Sequence, residues 1–385
     1  MQIKILVFLI VISLFQACIE EFSPKITAYA NLPVIDGTIT NEPGPYIVKL
    51  SKSLAVDDLG YFPVTGANIK ISDNLNTEET LTEIKPGVYS TDSMGIRGIV
   101  GRKYRITVKI EDKTYQSNFE ELKNPSGIDS VYTKIESKET AEGNFEGLQF
   151  YINTEDTNDK NRYFLWKLIE TYKYKPGLQV EYLYYFYSDS IASVENDSIN
   201  EFVNINNECW SSEKIKDIYT YSTQNFTDSK VNNFALHYVN TDTKKLSEKY
   251  SLLINQYSIT KDAYEYWNEI KKQNAESGSL YTTQPFQTRG NLVNIDNIDD
   301  IILGYFMVAG ISKKRIYIDP PHLDFIENCV SSYDYYLYLI NLPIPPELIF
   351  ITNKSGDGKR ESAAMRCLDC REEGGTLTKP DFWED

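Results

Sequence analysis

The chain has 385 residues, which predicts two domains at a typical ~150 residues per domain. Hydrophobic residues make up 41% of the sequence and charged residues 24%, a balance that supplies enough apolar surface for packed cores and excludes a disordered or multi-span membrane protein. Acidic residues outnumber basic residues by 55 to 39, so the surface field repels phosphate backbones and nucleic acid is not an expected partner.

The beginning of the chain has the pattern of a lipoprotein signal peptide. Residues 3–15 are apolar except for Lys4 and Ser13, and Ala17 then precedes Cys18, which gives a positive start, a short hydrophobic run and a small residue before a cysteine. A run of about 13 residues forms a helix of only ~20 Å, shorter than the ~30 Å hydrocarbon core of a bilayer. We therefore predict a signal peptide over residues 1–17, acylation of Cys18 and a linker over 18–26, with conventional secretion as the alternative.

The next segment, residues 27–123, is predicted to form a β-sandwich. Apolar and polar side chains alternate in runs at residues 46–50, 67–71, 87–90 and 104–110, which is the period of half-buried strands. Segments rich in Gly and Pro separate the runs and favour hairpin turns. The expected fold is immunoglobulin-like or transthyretin-like, and its simplest role is that of a spacer between the membrane and another domain.

A larger β-rich domain is predicted over residues 128–341, after a linker at 124–127. Its strand-like runs are longer and rich in Tyr, Phe, Trp, Ile and Val, the residues that β-strands favour. One helix is predicted to interrupt the strands, from Lys261 to Gln273, with Thr260 as its N-cap and one apolar face. The predicted class is therefore mainly β.

The cysteines predict disulfides in the tail, residues 342–385, where frequent Pro and Gly leave little regular structure. Four cysteines remain besides Cys18: Cys209, Cys329, Cys367 and Cys370. An even number in an exported protein indicates two disulfides, with three connectivities open. The Cys-x-x-Cys spacing also occurs in redox centres and zinc sites, but no second close Cys or His pair and no βαβ pattern accompany it here. We expect no metal, and we expect the two tail cysteines to pair with the other two, in an open order, and to hold the tail on the larger domain.

Short segments along nearly the whole mature chain carry a family resemblance. They are residues 34–40 (VIDGTIT), 43–45 (PGP), 128–132 (IDSVY), 264–267 (YEYW), 278–280 (GSL), 303–306 (LGYF), the Cys-x-x-Cys pair and 380–383 (PDFW). In this order they resemble a family of Bacteroidota lipoproteins catalogued as domain of unknown function 4249. The resemblance implies an outer-membrane lipoprotein of the kind commonly encoded beside TonB-dependent transporters, and it supplies no catalytic residues. Glu20 and Glu21 resemble the acidic signal that directs such lipoproteins to the external face, although a solvated linker has the same composition.

Two groups of residues are candidates for binding or modification. Tyr182, Tyr184, Tyr185 and Tyr187 could form an aromatic platform for sugar rings or peptide side chains. The alternative is that alternate tyrosines fill a core. Ser190 and Ser198 each stand in an Asp-Ser-Ile sequence, which is similar to the pattern at which Bacteroidota glycosylate exported proteins.

The residues favour binding over catalysis. The sequence has only two histidines, His237 and His322, and it lacks both the nucleophile elbow and the phosphate-binding loop of common enzymes. We expect no cofactor and no catalytic residues. The leading hypothesis is a non-enzymatic lipoprotein, anchored in the outer membrane and facing the exterior, that binds a TonB-dependent transporter or its cargo. A stand-alone glycan-binding or peptide-binding surface protein is the alternative, and a surface hydrolase is the third hypothesis.

Overall fold

The structure is a computed structural model that describes residues 31–53, 61–140, 143–156, 161–187, 190–195, 208–276, 288–325, 329–342, 348–354 and 359–384. In the first part of the chain the strands are β1 (Pro33–Thr40), β2 (Ile47–Lys52), β3 (Asn68–Asp73), β4 (Glu78–Thr80), β5 (Thr82–Lys85), β6 (Val88–Ser90), β7 (Lys103–Ile110), β8 (Lys113–Ser117) and β9 (Glu120–Glu121).

In the larger part the strands are β10 (Gly127–Thr140), β11 (Gly143–Glu155), β12 (Tyr163–Tyr174), β13 (Tyr182–Tyr187), β14 (Ser190–Glu195), β15 (Cys209–Lys214), β16 (Tyr219–Ser222), β17 (Lys230–Asn240), β18 (Lys249–Ser258), β19 (Leu292–Asn294) and β20 (Leu303–Ile318). The helices are α1 (Lys261–Glu276) and α2 (Tyr333–Ile340), and the tail adds β21 (Leu348–Ile351), β22 (Asn353–Lys354) and β23 (Arg360–Glu361). The predicted mainly β class is confirmed.

The first unit is a sandwich of two sheets, as the alternating runs predict. One sheet contains β1, β2, β6 and β5, and the other contains β19, β8, β7, β3 and β4. Alternate residues of the strands fill the core between them: Val48 and Leu50 from β2, Ile69 and Ile71 from β3, and Tyr104, Ile106 and Val108 from β7. This is the period of two in which every second side chain of a strand faces the core.

Strands from the larger part complete this sandwich. The strand β20 pairs in parallel with β1, from Val34 opposite Leu303 to Thr40 opposite Ala309, and β19 pairs with β8. At Gly304, whose φ is 86°, a Cβ atom would lie 1.8 Å from the carbonyl oxygen of Ile35, so only glycine fits this close approach. One sheet therefore runs β15-β12-β18-β20-β1-β2-β6-β5 across the boundary predicted at residue 123.

A second core lies between that long sheet and the three-stranded sheet β10-β11-β17. Phe150 and Ile152 of β11 meet Trp166 and Leu168 of β12 there, and all four are buried. On the opposite face of β12 the helix α1 covers Leu165 and contributes Ala263 to a smaller cluster. The strand β12 is therefore covered on both faces.

One helix, α1, was predicted from the sequence, and the other, α2, was not. Thr260 Oγ1 accepts a hydrogen bond from the Ala263 amide at 3.3 Å, which confirms the predicted N-cap, and α1 extends to Glu276 rather than Gln273. The expectation of a single helix is wrong because α2 also forms, capped by Ser332, whose Oγ accepts from the Tyr335 amide at 3.0 Å. Within the residues that the structure describes, no helix is both long and apolar enough to cross a membrane.

Candidate functional site: a cleft beside the disulfide-tied tail

The tail is attached by two disulfides, Cys209–Cys370 and Cys329–Cys367. This confirms the predicted pairing of the Cys-x-x-Cys residues with the other two cysteines and settles the order that the sequence leaves open. The first bond lies in the second core, where both of its cysteines are fully buried. Cys209 is the first residue of β15, which pairs with β12, and it lies opposite Tyr174. In the described ranges no three His, Cys, Asp or Glu side chains are grouped to hold a metal ion.

The end of the tail also packs on the body of the protein. Trp383 is 5% exposed, and its ring makes edge contacts with the rings of Trp210 and Tyr317 at centroid distances of 6.5 and 6.0 Å. Phe382 is 41% exposed, and the centroid of its ring lies 3.6 Å from the guanidinium carbon of Arg315. The tail is therefore a packed element in which Trp383 is the buried anchor.

A cleft of about 610 Å³ lies between this tail and the larger unit. One wall is the end of β12 with the residues after it, and the opposite wall comes from the turn between β17 and β18 and from the tail. The lining residues are Tyr172, Lys175, Pro176, Gly177, Asp242, Thr243, Lys244, Lys245, Ser247, Glu248, Phe325, Cys329, Arg366 and Glu373. Aromatic rings and both signs of charge therefore line one concave surface.

Ion pairs hold all three lysines that line the cleft: Lys175, Lys244 and Lys245. Lys175 Nζ lies 3.2 Å from a carboxylate oxygen of Glu248, and Lys244 pairs with Glu373 of the tail. Lys244 also lies over the ring of Tyr174, 4.1 Å from its centroid. The pair between Lys244 and Glu373 joins the two walls, so the tail closes one side of the cleft by charge as well as by disulfides.

Beneath the cleft a buried carboxylate organises the wall. Glu170 of β12 is only 3% exposed; it accepts hydrogen bonds from Lys245 Nζ at 2.6 Å and from the Tyr250 hydroxyl at 2.9 Å. Burial acts to raise the pKa of Glu170, but His237 and Lys245 outweigh burial and lower the pKa to about 2. Glu170 is therefore ionised at neutral pH and holds Lys245 at the edge of the cleft.

His237 is part of the buried network around Glu170. Its Nε2 lies 3.6 Å from Glu170 Oε2, and its Nδ1 lies 3.5 Å from the hydroxyl of Tyr219. Burial raises the pKa of Tyr219 well above its ordinary value, so that hydroxyl stays protonated. His237 is not among the described residues that line the cleft, and its contacts orient Glu170.

The residues proposed from sequence fall in three places. The tyrosines at 182, 184, 185 and 187 lie in β13, between β14 and β21. Ser190 begins β14, opposite Tyr187. Cys18 and Ser198 lie outside the described residues. The lipidation, the aromatic platform and the glycosylation stay predictions.

Sequence reasoning missed Glu170 and the cleft. A signal was present: positions 164, 166, 168, 172 and 174 of β12 are buried aromatic or apolar residues, and Glu170 interrupts that alternating series. A carboxylate on the buried face of a strand requires a cationic or hydrogen-bonding partner, and Lys245 is that partner.

The fold and the cleft define a class: a mainly β protein of two joined units whose tail is held by disulfides against a charged, aromatic cleft. The chain belongs to the family described as Domain of unknown function (DUF4249), whose model matches residues 19–315. No curated protein matches the sequence. The collagen binding domain of the Erysipelothrix rhusiopathiae surface protein RspB is 9% identical, with coverage of 74% of this chain and 97% of that domain. Its TM-score of 0.08 gives no basis for comparing the two folds.

Proposed function

We propose that the protein is a non-enzymatic lipoprotein of the outer membrane, facing the exterior, that serves a TonB-dependent transporter by binding the transporter or its cargo in the cleft. The observation that carries the proposal is the cleft itself. Its volume of about 610 Å³ is within the range of sites that hold small molecules or peptide side chains. Tyr172 and Phe325 supply apolar contact area, and the surrounding charges supply directional contacts.

The walls of the cleft suit binding because they are formed in advance. The Cys329–Cys367 disulfide borders the cleft, and Glu170 fixes Lys245 from below. A preformed site loses less conformational entropy on binding than a flexible one. The three lysines of the cleft already have carboxylate partners. The cleft therefore favours a ligand or protein surface of mixed polarity over a strongly charged polymer.

The membrane location rests on the predicted acylation of Cys18. Replacing Cys18 with Ala should release the protein from the membrane fraction, and external protease should digest the wild-type protein on intact cells if it faces the exterior. Protein that remains in the membrane fraction after Cys18→Ala would contradict the anchor. Protection of the wild-type protein from external protease would contradict the external location.

Copurification tests the role as a transporter accessory. The full-length tagged protein, recovered from detergent-solubilised outer membranes, should bring down a large transporter barrel. A double variant at the cleft, Lys175→Glu with Arg366→Glu, changes two exposed cations and should reduce the recovered barrel about tenfold or more. Lys103→Glu with Lys109→Glu, which reverses two exposed charges on β7, is the matched control and should leave recovery unchanged.

Two results would contradict the proposal. Recovery of the lipoprotein alone from repeated preparations would remove the transporter partner, and equal recovery with the cleft variant and its control would remove the cleft from the interface. Binding of the same protein to a glycan array or peptide library without any transporter would instead support the alternative, a stand-alone surface receptor.

A further inference from the structure

A second cavity, of about 330 Å³, lies on the face of β12 opposite Glu170. It is enclosed by β12, β18, the helix α1 and the segment at residues 214–218, which leads into β16. Because successive residues of a strand point to opposite faces, Lys167 faces this cavity while Glu170 faces the core below. The second cavity is therefore separate from the cleft beside the tail.

Lys167 is the unusual feature of this cavity. Its ammonium lies over the ring of Trp267 at 4.4 Å and 5.9 Å from the ring of Tyr257. Among the described residues no carboxylate lies within 4 Å of it, in contrast to Lys245, which pairs with Glu170. Burial lowers the pKa of Lys167, Asp36 acts to raise it, and the neighbouring charge of Lys214 lowers it further. Lys167 is partly exposed, and an ammonium that contacts aromatic rings without a carboxylate partner can accept an anionic ligand.

Two further donors belong to the walls. The indole nitrogen of Trp267 is buried and has no hydrogen-bond partner among the described atoms. Burial raises the pKa of Tyr257 to about 12, so its hydroxyl stays protonated and can donate. Native proteins pair most buried polar atoms, so the unpaired indole N–H points to an acceptor from a ligand. The carboxylate of Asp217 in the lining accepts from the Tyr219 hydroxyl at 3.3 Å.

The remaining walls are partly apolar and partly charged. Leu165, Ile215 and Ile218 line the cavity together with the two aromatic rings, and Lys214, Lys216, Asp217 and Asn255 form its polar part. A ligand that satisfies Lys167 therefore also needs an apolar body. A cationic ligand is disfavoured because three lysines, Lys167, Lys214 and Lys216, line the cavity with a single carboxylate, that of Asp217. Inorganic phosphate would satisfy the positive charge but leave the aromatic and aliphatic walls without a contact.

We propose that this cavity binds a small organic monocarboxylate with an aromatic or apolar body, whose carboxylate pairs with Lys167 and whose body packs on Trp267 and Ile215. The carboxylate supplies the acceptor that the ammonium and the indole N–H lack, and charge-assisted hydrogen bonds of this kind are short and strong. The rings of Trp267 and Tyr257 then form the sides of an aromatic slot for the body of the ligand.

The test uses full-length protein in lipid nanodiscs with phenylacetate and indole-3-acetate as probes. Phenylacetamide, which lacks the charge, and inorganic phosphate, which lacks the apolar body, are the comparison probes. Saturation-transfer NMR should show contact of both carboxylates with the protein. Replacing Lys167 with Met should weaken their binding about tenfold or more, because it removes a charge-assisted contact. Trp267→Phe should keep the ring, lose the N–H and weaken binding by a smaller factor.

Urea unfolding separates binding from folding. Because Lys167 has no carboxylate partner to lose, Lys167→Met should unfold at a urea concentration no lower than that of the wild type. Lys109→Met, on an exposed strand position, should bind both probes like the wild type. No signal from either carboxylate at millimolar concentration, equal binding by folded Lys167→Met, or stronger binding of phosphate or of the amide would each overturn the proposal.

Discussion

Replacing Glu170 with Gln tests the buried charge network that supports the cleft. The substitution keeps the size of the side chain and removes its charge. Lys245 and His237 then lose the carboxylate that faces them, and the Tyr250 hydroxyl keeps only a weaker acceptor. Breaking a buried pair from one side is costly because the remaining charge stays buried without its partner.

The pKa of Glu170 sets the size of the effect. It is lowered from the ordinary value of 4.5 to about 2, and each pKa unit corresponds to about 1.4 kcal/mol. The ionised carboxylate therefore stabilises the fold by about 3 kcal/mol. Because the folded pKa is the lower one, this stabilisation is complete above the unfolded pKa and is lost as the pH falls from about 4.5 towards 2.

Urea unfolding at several pH values measures the difference between wild type and Glu170→Gln. The variant should have a free energy of unfolding about 3 kcal/mol lower at pH 7, and the gap should shrink by about 2 kcal/mol at pH 3. The other carboxylates are the same in both proteins, so their titration cancels in the difference. Glu213→Gln is the matched control: Glu213 is half exposed and lies 3.8 Å from Lys245, so its loss should cost less than about 1 kcal/mol. A gap that stays constant from pH 7 to pH 3, or an equal loss in both variants, would refute the reasoning.

Two further predictions concern the tail. Mild reduction followed by alkylation and mass spectrometry should label the cysteines of the Cys329–Cys367 disulfide first. Cys329 is partly exposed at the cleft, whereas both cysteines of the other disulfide are fully buried. Labelling in the reverse order would contradict the burial argument. Trp383→Ala should lower the free energy of unfolding by about 3 kcal/mol. Phe382→Ala should lower it by only about 1 kcal/mol, because Phe382 is already 41% exposed. Equal effects of the two substitutions in urea unfolding would show that Trp383 is not the anchor.

Local periodicity was sufficient to predict four strands of the first unit: β2, β3, β6 and β7. In β7 the apolar residues Tyr104, Ile106 and Val108 alternate with polar ones, and all three are buried. The cap at Thr260 is likewise a local signal, since one hydroxyl meets the free amides of the first turn. The helix α2 escaped prediction because its tyrosine-rich sequence, YDYYLYLI, has the composition of a strand.

Long-range pairing left no comparable trace in the sequence. Ile35 and Gly304 lie opposite each other on the paired strands β1 and β20, yet the sequence around either residue does not predict the other as its partner. The cleft was hidden for the same reason, because its walls come from β12, from the turn before β18 and from the tail. Only the charge at Glu170, at a position where apolar residues are the rule, marked the site locally, and its meaning required Lys245 from a distant segment.

The junction between the two units determines what the first unit can do. The predicted linker is held by side chains of the larger unit: Gln256 Nε2 donates to the Ser126 carbonyl at 2.9 Å, and Asn161 Nδ2 donates to the Asn124 carbonyl at 2.8 Å. Beside it lies Glu120 of β9, which is buried and accepts a hydrogen bond from the Tyr305 hydroxyl at 2.5 Å.

These contacts join the units more firmly than a flexible connection between domains would. Burial raises the pKa of Glu120, and the hydrogen bonds that it accepts from β20 and from the start of α1 act to lower it. Because these donors belong to the larger unit, that unit stabilises Glu120 in its buried position. The shared strands β20 and β19 also hold the two units together, since separating the units would expose the edges of β1 and β8. The first unit is therefore an integral part of the sheet that also carries the cleft and the Lys167 cavity. If Cys18 is acylated as predicted, a single attachment point therefore carries both cavities, and a partner that binds the first unit also holds the second.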